Sequence, residues 1–174
     1  MKTWSAVQEA TNAEILAWAR SQPWARAMAA CPQDPQWHAE GDVWTHTQMV
    51  CAELEHAGEW PLLDRCSQLK LLFTGLFHDA GKPATTALDP ETGRIRSPNH
   101  SQASAELARR ALRDLGCDLA VREEIARLVR FHSRLQPTAW NSASFFSNAA
   151  SSNTGVAPSV AISRSSVIQD WQPA

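Results

Sequence analysis

The stretch that decides the fold is Leu76-Phe77-His78-Asp79-Ala80-Gly81-Lys82-Pro83, where an apolar, helix-like run ends on an adjacent His and Asp. Adjacent residues at a helix end can both turn toward one point. A third donor is available upstream, His46 in the segment Asp42–Val50, and two more histidines, His100 and His132, follow downstream. Two neutral imidazoles and a carboxylate are a workable ligand set for a divalent cation of the manganese, iron, cobalt, nickel or zinc type, and less readily for magnesium. His46, His78 and Asp79 are therefore the candidate metal ligands.

Working outward, Asp42 is a plausible N-cap for a helix from Val43 to about His56, which carries His46 and buries Val50, Leu54, Trp44 and Ala57. Pro61 suits a first helical position. From there Leu62, Cys66, Leu69, Phe73, Leu76 and Phe77 recur at spacings of three and four, with enough leucine to make this helix central. Gly81-Lys82-Pro83 is read as its stop. Asp89-Pro90-Glu91-Thr92-Gly93 is a strong turn signal between short runs containing Thr85, Thr86, Ile95 and Arg96, read as a small β-hairpin or an ordered loop over a pocket.

Between Ser97 and Leu115, the residues His100, Ser104, Leu107, Ala108, Ala111 and Leu115 share a face, and Gly116 is a natural stop. From Leu119 to Ser133, Val121, Ile125, Leu128, Val129 and His132 align. Both histidines thus belong to apolar sides. Upstream, residues 10–31 read as helix interrupted near Pro23. The fold expected is all-α, a bundle of about five core helices, with residues 1–35 as an N-terminal helical addition and 36–134 as the main domain.

Residues 135–174 have another character, since Arg164 and Asp170 are their only charges and Ser, Asn and Ala dominate. Three readings stay open for this tail: an extension packed on the bundle, a flexible tail, or sequence from an altered reading frame.

Composition narrows the function classes. With 174 residues and 44% apolar content, the chain can build one domain with a real core. No apolar run approaches the roughly 20 residues needed to span a bilayer. The first residues are polar and acidic where a signal peptide is greasy, so a cytoplasmic protein without a membrane partner is expected. Cys31, Cys51, Cys66 and Cys117 are too scattered for a zinc motif and are expected as reduced thiols. The net charge of −2 conceals a basic stretch, Lys82–Arg134, with ten Lys or Arg against seven Asp or Glu. A basic flank beside a cation would attract phosphate. Alternatively Arg109, Arg110, Arg113, Arg122, Arg127 and Arg130 are solvated helix faces paired with Glu106, Asp114, Glu123 and Glu124.

Residues 37–47 (WHAEGDVWTHT), 76–83 (LFHDAGKP) and 98–112 (PNHSQASAELARRAL) together resemble the HD domain superfamily of metal-dependent phosphohydrolases. The likeness covers roughly residues 36 to 134 and is closest to the HD domains of bacterial tRNA nucleotidyltransferases and of HD-ATPase fusion proteins. It implies an HD-type helical bundle with His46, His78 and Asp79 as metal ligands. Asp79 would also orient the attacking water, and Lys82 would contact substrate phosphate. His100 and His132 would contact phosphate, protonate a leaving oxygen or bind a second metal. The implied substrate is a nucleotide, another phosphorylated small molecule or an RNA end, as a phosphomonoester or a phosphodiester, cyclic or open.

The family pattern also supplies a fourth ligand, an Asp beyond the His132 region, yet no Asp occurs between Asp118 and Asp170. Asp170, a water or His100 would have to replace it, or activity falls. The alternative function is therefore a non-catalytic HD module that binds nucleotide or RNA, or that partners a nucleotidyltransferase or ATPase. Trp37, Trp44 and Trp140 are candidates for stacking on a base, although large core aromatics are commoner.

Overall fold

A computed structural model describes residues 1–36 and 38–132. Among the described residues the regular structure is helical apart from one two-stranded hairpin. In order it forms α1 (Trp4–Glu9), α2 (Asn12–Arg20), α3 (Pro23–Ala29), α4 (Val43–His56), a 3-10 turn (Trp60–Leu62), α5 (Arg65–Phe77), α6 (Lys82–Thr85), β1 (Ala87–Leu88), β2 (Ile95–Arg96), α7 (His100–Asp114) and α8 (Leu119–Phe131). The all-α expectation holds. The hairpin pairs Ala87 with Arg96 and Leu88 with Ile95 across the Asp89–Gly93 turn.

Helix α5 is the axis of the bundle. Leu69, Leu71, Leu72, Phe73, Leu76 and Phe77 are all at most 1% exposed, so the last two turns are enclosed on every side by α4, α7, α8 and the N-terminal helices. Each such side chain contributes about 1.5–3 kcal/mol on burial, several times the spread of intrinsic helix propensities. Tertiary burial therefore holds α5 together. Gly75 lets α4 approach, since a Cβ there would meet Leu54 Cδ1 at 3.1 Å and Cys51 Sγ at 3.3 Å.

Helix α5 does not start at Pro61. The Asp64 carboxylate accepts from the backbone N–H and the hydroxyl of Ser67 at 2.9 Å each, which makes Asp64 the N-cap. Trp60–Leu62 is left as a separate 3-10 turn, with Leu62 82% exposed and Cys66 also outside the core. Nor do Lys82 and Pro83 simply terminate α5. The helix ends at Phe77, and after a turn Lys82 and Pro83 open the short α6.

Other boundaries follow local chemistry. Asp42 caps α4 by accepting from Thr45 N at 2.9 Å. At the end of α7, Gly116 takes φ +74, and the bonds from Gly116 N to Arg113 O and Cys117 N to Leu112 O (both 2.9 Å) form a Schellman closure. The N-terminal helices pack on the axis: the Trp4 ring meets Phe73 edge-on at 5.4 Å, and Trp24 lies 4.9 Å from Phe77. Arg65 bridges to them through Gln8 O, Ala10 O and Asn12 Oδ1. All four cysteines are free thiols.

Candidate metal centre

Three of the histidines stand at helix ends. His78 caps the C-terminus of α5, His132 caps that of α8, and His100 is the first residue of α7. Each reaches back three residues with Nδ1: His78 to Gly75 O (2.7 Å), His132 to Val129 O (2.7 Å) and His100 to Ser97 O (2.8 Å). The carbonyls of Gly75 and Val129 lie in the last turns of α5 and α8, where intrahelical donors run out, so there the bond serves both groups, whereas Ser97 stands just ahead of α7. A carbonyl can only accept, which places the proton on Nδ1 and, in the neutral ring, a lone pair on Nε2. His46, in the first turns of α4, obtains the same orientation differently, by donating Nδ1 to Glu40 Oε1 at 2.7 Å.

All four Nε2 atoms turn toward one carboxylate. Oδ2 of Asp79 lies 3.2 Å from His78 Nε2 and 3.9 Å from His46 Nε2, while Oδ1 lies 3.3 Å from His100 Nε2 and 3.8 Å from His132 Nε2. His100 Nε2 and His132 Nε2 are 3.3 Å apart. Two lone pairs at that distance repel unless a proton or a cation stands between them. Converging imidazole nitrogens on an anionic oxygen pair are thus a donor set that fits a borderline divalent cation. The donors fall into two groups that share Asp79, one with His46 and His78 and one with His100 and His132, the ligand atoms within each lying within 4.8 Å of one another.

Burial by itself would raise the Asp79 carboxyl, but His78 and the Lys82 ammonium outweigh it and hold the carboxyl well below the usual carboxylate range. Lys82 Nζ sits 2.8 Å from Asp79 Oδ2 and donates at 2.6 Å to Gln33 Oε1. Burial, reinforced by neighbouring His78, pushes His132 down to about 4. The same two causes lower His46. At neutral pH both rings are therefore uncharged, as ligands must be.

Gly81 brings α7 to this cluster. A Cβ on it would stand 2.5 Å from the His100 carbonyl and closer still to the Ser104 nitrogen. Its own N–H donates to the buried Ser104 hydroxyl at 2.8 Å. The turn after Asp79 thus packs backbone against backbone on the first turn of α7, which sets where His100 stands.

The structure brings together six of the residues singled out from sequence for this site: His46, His78, Asp79, Lys82, His100 and His132. It adds Glu40, His38 and Gln33, which periodicity does not reveal. All three lie in the loop between α3 and α4, closed by an antiparallel bridge between Pro32 and Asp42. The available signal was the density of polar groups in residues 33–42, placed just before the helix that carries His46.

Other candidates lie elsewhere. Trp44 is buried, with its ring edge-on to Trp24 at 6.2 Å, so it offers no stacking face. Trp37, Trp140, Asp170 and the tail fall outside the described residues. The charged faces of α7 and α8 pair both between helices, Arg109 with Glu123 and Lys70 of α5 with Glu124 at 2.7 Å each, and with sequence neighbours, Arg122 with Glu123 at 3.3 Å and Arg113 with Asp114 at 3.8 Å. Among the described residues, no helix is long and apolar enough to cross a membrane.

Comparison with known proteins agrees with this geometry. Residues 42–166 match the HD domain family. The chain is 39% identical over 90 residues to the CC-adding tRNA nucleotidyltransferase of Thermus thermophilus, which is 52% of this chain and 19% of that protein. It is 39% identical over 66 residues to the A-adding tRNA nucleotidyltransferase of Deinococcus radiodurans, 38% of this chain and 15% of that protein. The matched region thus spans less than a fifth of either relative. No solved structure matches the chain. A family match over most of the chain, together with a His-Asp pair at a helix end facing three further helix-borne histidines, establishes that the chain belongs to the HD domain family.

Proposed function

We propose that this chain is a divalent-metal phosphohydrolase acting on a phosphomonoester or phosphodiester, cyclic or open, of a nucleotide or RNA end. The working unit is residues 36–134, with residues 1–35 as an N-terminal addition. The observation that carries this reading is the set of four imidazole Nε2 atoms turned onto the two oxygens of Asp79, with the Lys82 ammonium beside them.

In this reading His46, His78 and Asp79 hold the cation, a first-row ion of the manganese to zinc series in preference to magnesium. When bound, the ion would supply charge neutralisation at a phosphoryl oxygen and a water acidic enough to attack near neutral pH. Asp79 would also orient the attacking water. Lys82 offers an ammonium to the phosphate, held over the site by Gln33. His132, pushed down to about 4 and buried, is not a proton donor at neutral pH and serves as an acceptor or ligand. The leaving oxygen is left to His100, which is the more exposed of the two, 21% against 6%. The nucleotide or RNA-end class is supported by similarity to two proteins named as tRNA nucleotidyltransferases.

One observation favours the non-catalytic alternative, a module that binds nucleotide or RNA or partners a nucleotidyltransferase or ATPase: no Asp occurs from residue 119 to 169 to serve as the expected fourth ligand. His100 and His132 bring further donors to the same carboxylate, which is why hydrolysis is preferred here.

The test is metal content of the purified chain, with a panel of phosphomonoesters and cyclic phosphodiesters assayed with and without added cation, for wild type and Asp79→Asn. Bound metal and cation-stimulated hydrolysis, both lost in Asp79→Asn, are expected. Stoichiometric metal without turnover would transfer the assignment to the binding module. Absence of both would remove the site's functional reading altogether.

A further inference from the structure

His46 differs from the other three histidines in how it is aimed. His78, His100 and His132 take their tautomer from a carbonyl three residues back at a helix end. His46 lies inside α4 (Val43–His56), where carbonyls are engaged by the helix itself. Without an outside acceptor, nothing in its own helix would favour the proton on Nδ1 over Nε2.

The loop between α3 and α4 supplies that acceptor. Its ends are joined by the Pro32–Asp42 bridge and by Gln33 N donating to Gly41 O at 3.0 Å. Within it, His38 N donates to Asp34 O at 3.0 Å, and Gly41 turns the chain with φ +98. Glu40 is thereby presented to the first turns of α4. A single oxygen, Oε1, takes Nδ1 of His46 at 2.7 Å and Nδ1 of His38 at 2.9 Å. Two donors on one carboxylate oxygen fix its position, and an ionised acceptor makes the stronger bond.

We propose that Glu40 is a positioning residue for the metal centre: by accepting the Nδ1 proton of His46, it holds that imidazole in the tautomer whose Nε2 lone pair faces Asp79, and so sets the affinity of the cation. A carboxylate behind a ligating imidazole also raises the basicity of the opposite nitrogen, and losing such a partner typically costs about 10- to 100-fold in metal affinity. The inference rests on the reading of His46 as a metal ligand. His38 buttresses Glu40 and does not itself face Asp79.

The experiment uses the full chain with His selectively labelled with nitrogen-15. The tautomer of His46 is read from its ring nitrogen shifts in the metal-free protein, and affinity from titration with cobalt(II) followed by visible absorption, for wild type, Glu40→Ala and Glu40→Gln. In wild type, His46 is expected as the Nδ1–H form. In Glu40→Ala it should become a mixture, and cobalt affinity should fall about 10- to 100-fold. Glu40→Gln retains an acceptor oxygen without the charge and should lie between the two. Glu40→Ala binding cobalt within about twofold of wild type, or retaining the Nδ1–H form, would overturn the proposal. Should wild type bind no cobalt at all, the phosphohydrolase reading fails, while the tautomer comparison still decides whether Glu40 aims His46.

Discussion

Lys82 Nζ lies 2.8 Å from Oδ2 of Asp79, the same oxygen that His46 and His78 face. An ammonium and a bound divalent cation would therefore compete for one carboxylate oxygen, and Gln33, whose Oε1 takes the same ammonium at 2.6 Å, would give Lys82 a second anchor away from Asp79. Lys82→Met separates the two roles of this side chain. The variant should bind cobalt(II) at least as tightly as wild type, because a positive competitor is gone. Turnover of a phosphoester should nevertheless fall about 10- to 100-fold, the worth of one hydrogen bond to a charged group at roughly 1.5–3 kcal/mol. Parallel loss of cobalt binding would show that Lys82 instead supports the site's structure.

The metal-free protein should lose stability as pH falls from neutral. Because burial holds His132 at about 4 in the folded chain while an unfolded histidine titrates near 6.5, the unfolded state binds the extra proton between those values. Stability is then complete above pH ~6.5 and drains away toward pH ~4. His132 alone contributes on the order of 2 kcal/mol between pH 7 and pH 5, and His46, also lowered, adds in the same direction. Asp79 does not contribute in this window, since its folded value lies well below 3.8 and its stabilisation is lost only as pH falls through that value. Urea midpoints at pH 7 and pH 5 check this: His132→Asn should show a clearly smaller drop than wild type, and equal drops would contradict it.

Gly81→Ala should be costly in two ways. The added Cβ meets backbone, the His100 carbonyl and the Ser104 nitrogen, which cannot move without shifting α7. Overpacking of this kind costs about 1–3 kcal/mol, read as a lower urea midpoint. Phosphoester turnover should fall as well, because His100, the proposed proton donor to the leaving oxygen, is carried away from Asp79 with the helix. A destabilised variant with unchanged turnover would mean that His100 takes no part in hydrolysis.

Arg65→Ala should loosen the N-terminal helices without touching the metal centre. Its guanidinium donates to Gln8 O, Ala10 O and Asn12 Oδ1, and removing it deprives the end of α1 and the start of α2 of their shared donor. A loss of about 1–3 kcal/mol is expected, with faster proteolysis near residues 8–12 and cobalt affinity unaltered. Metal binding that fell in step would link the N-terminal addition to the site.

Much of the fold is written in short-range signals. The Asp42 cap, the apolar spacing on α7 and α8, the Gly116 stop and the Asp89–Gly93 turn act over a few residues, and the corresponding elements stand where those signals place them. Where two local signals compete, sequence alone does not arbitrate: Pro61 and Asp64 both mark a helix start, and the hydrogen bonds of the Asp64 carboxylate to Ser67 decide for the latter. Short α1, with Trp4 and Val7 as its buried residues, has too little periodicity to be read before it packs on Phe73.

At the centre, the sequence by itself determined the candidate donor types, the pairing of His78 with Asp79 at a helix end, and the placing of His100 and His132 on apolar helix faces. Only the tertiary structure decided that four imidazoles from α4, α5, α7 and α8 meet on one carboxylate, that Gln33 and Glu40 stand behind Lys82 and His46, and that Lys70 pairs with Glu124 across α5 and α8. Capping and turn bonds are confined to neighbouring residues, whereas these contacts join residues as far as 54 positions apart, and so exist only once burial around α5 has brought the helices together.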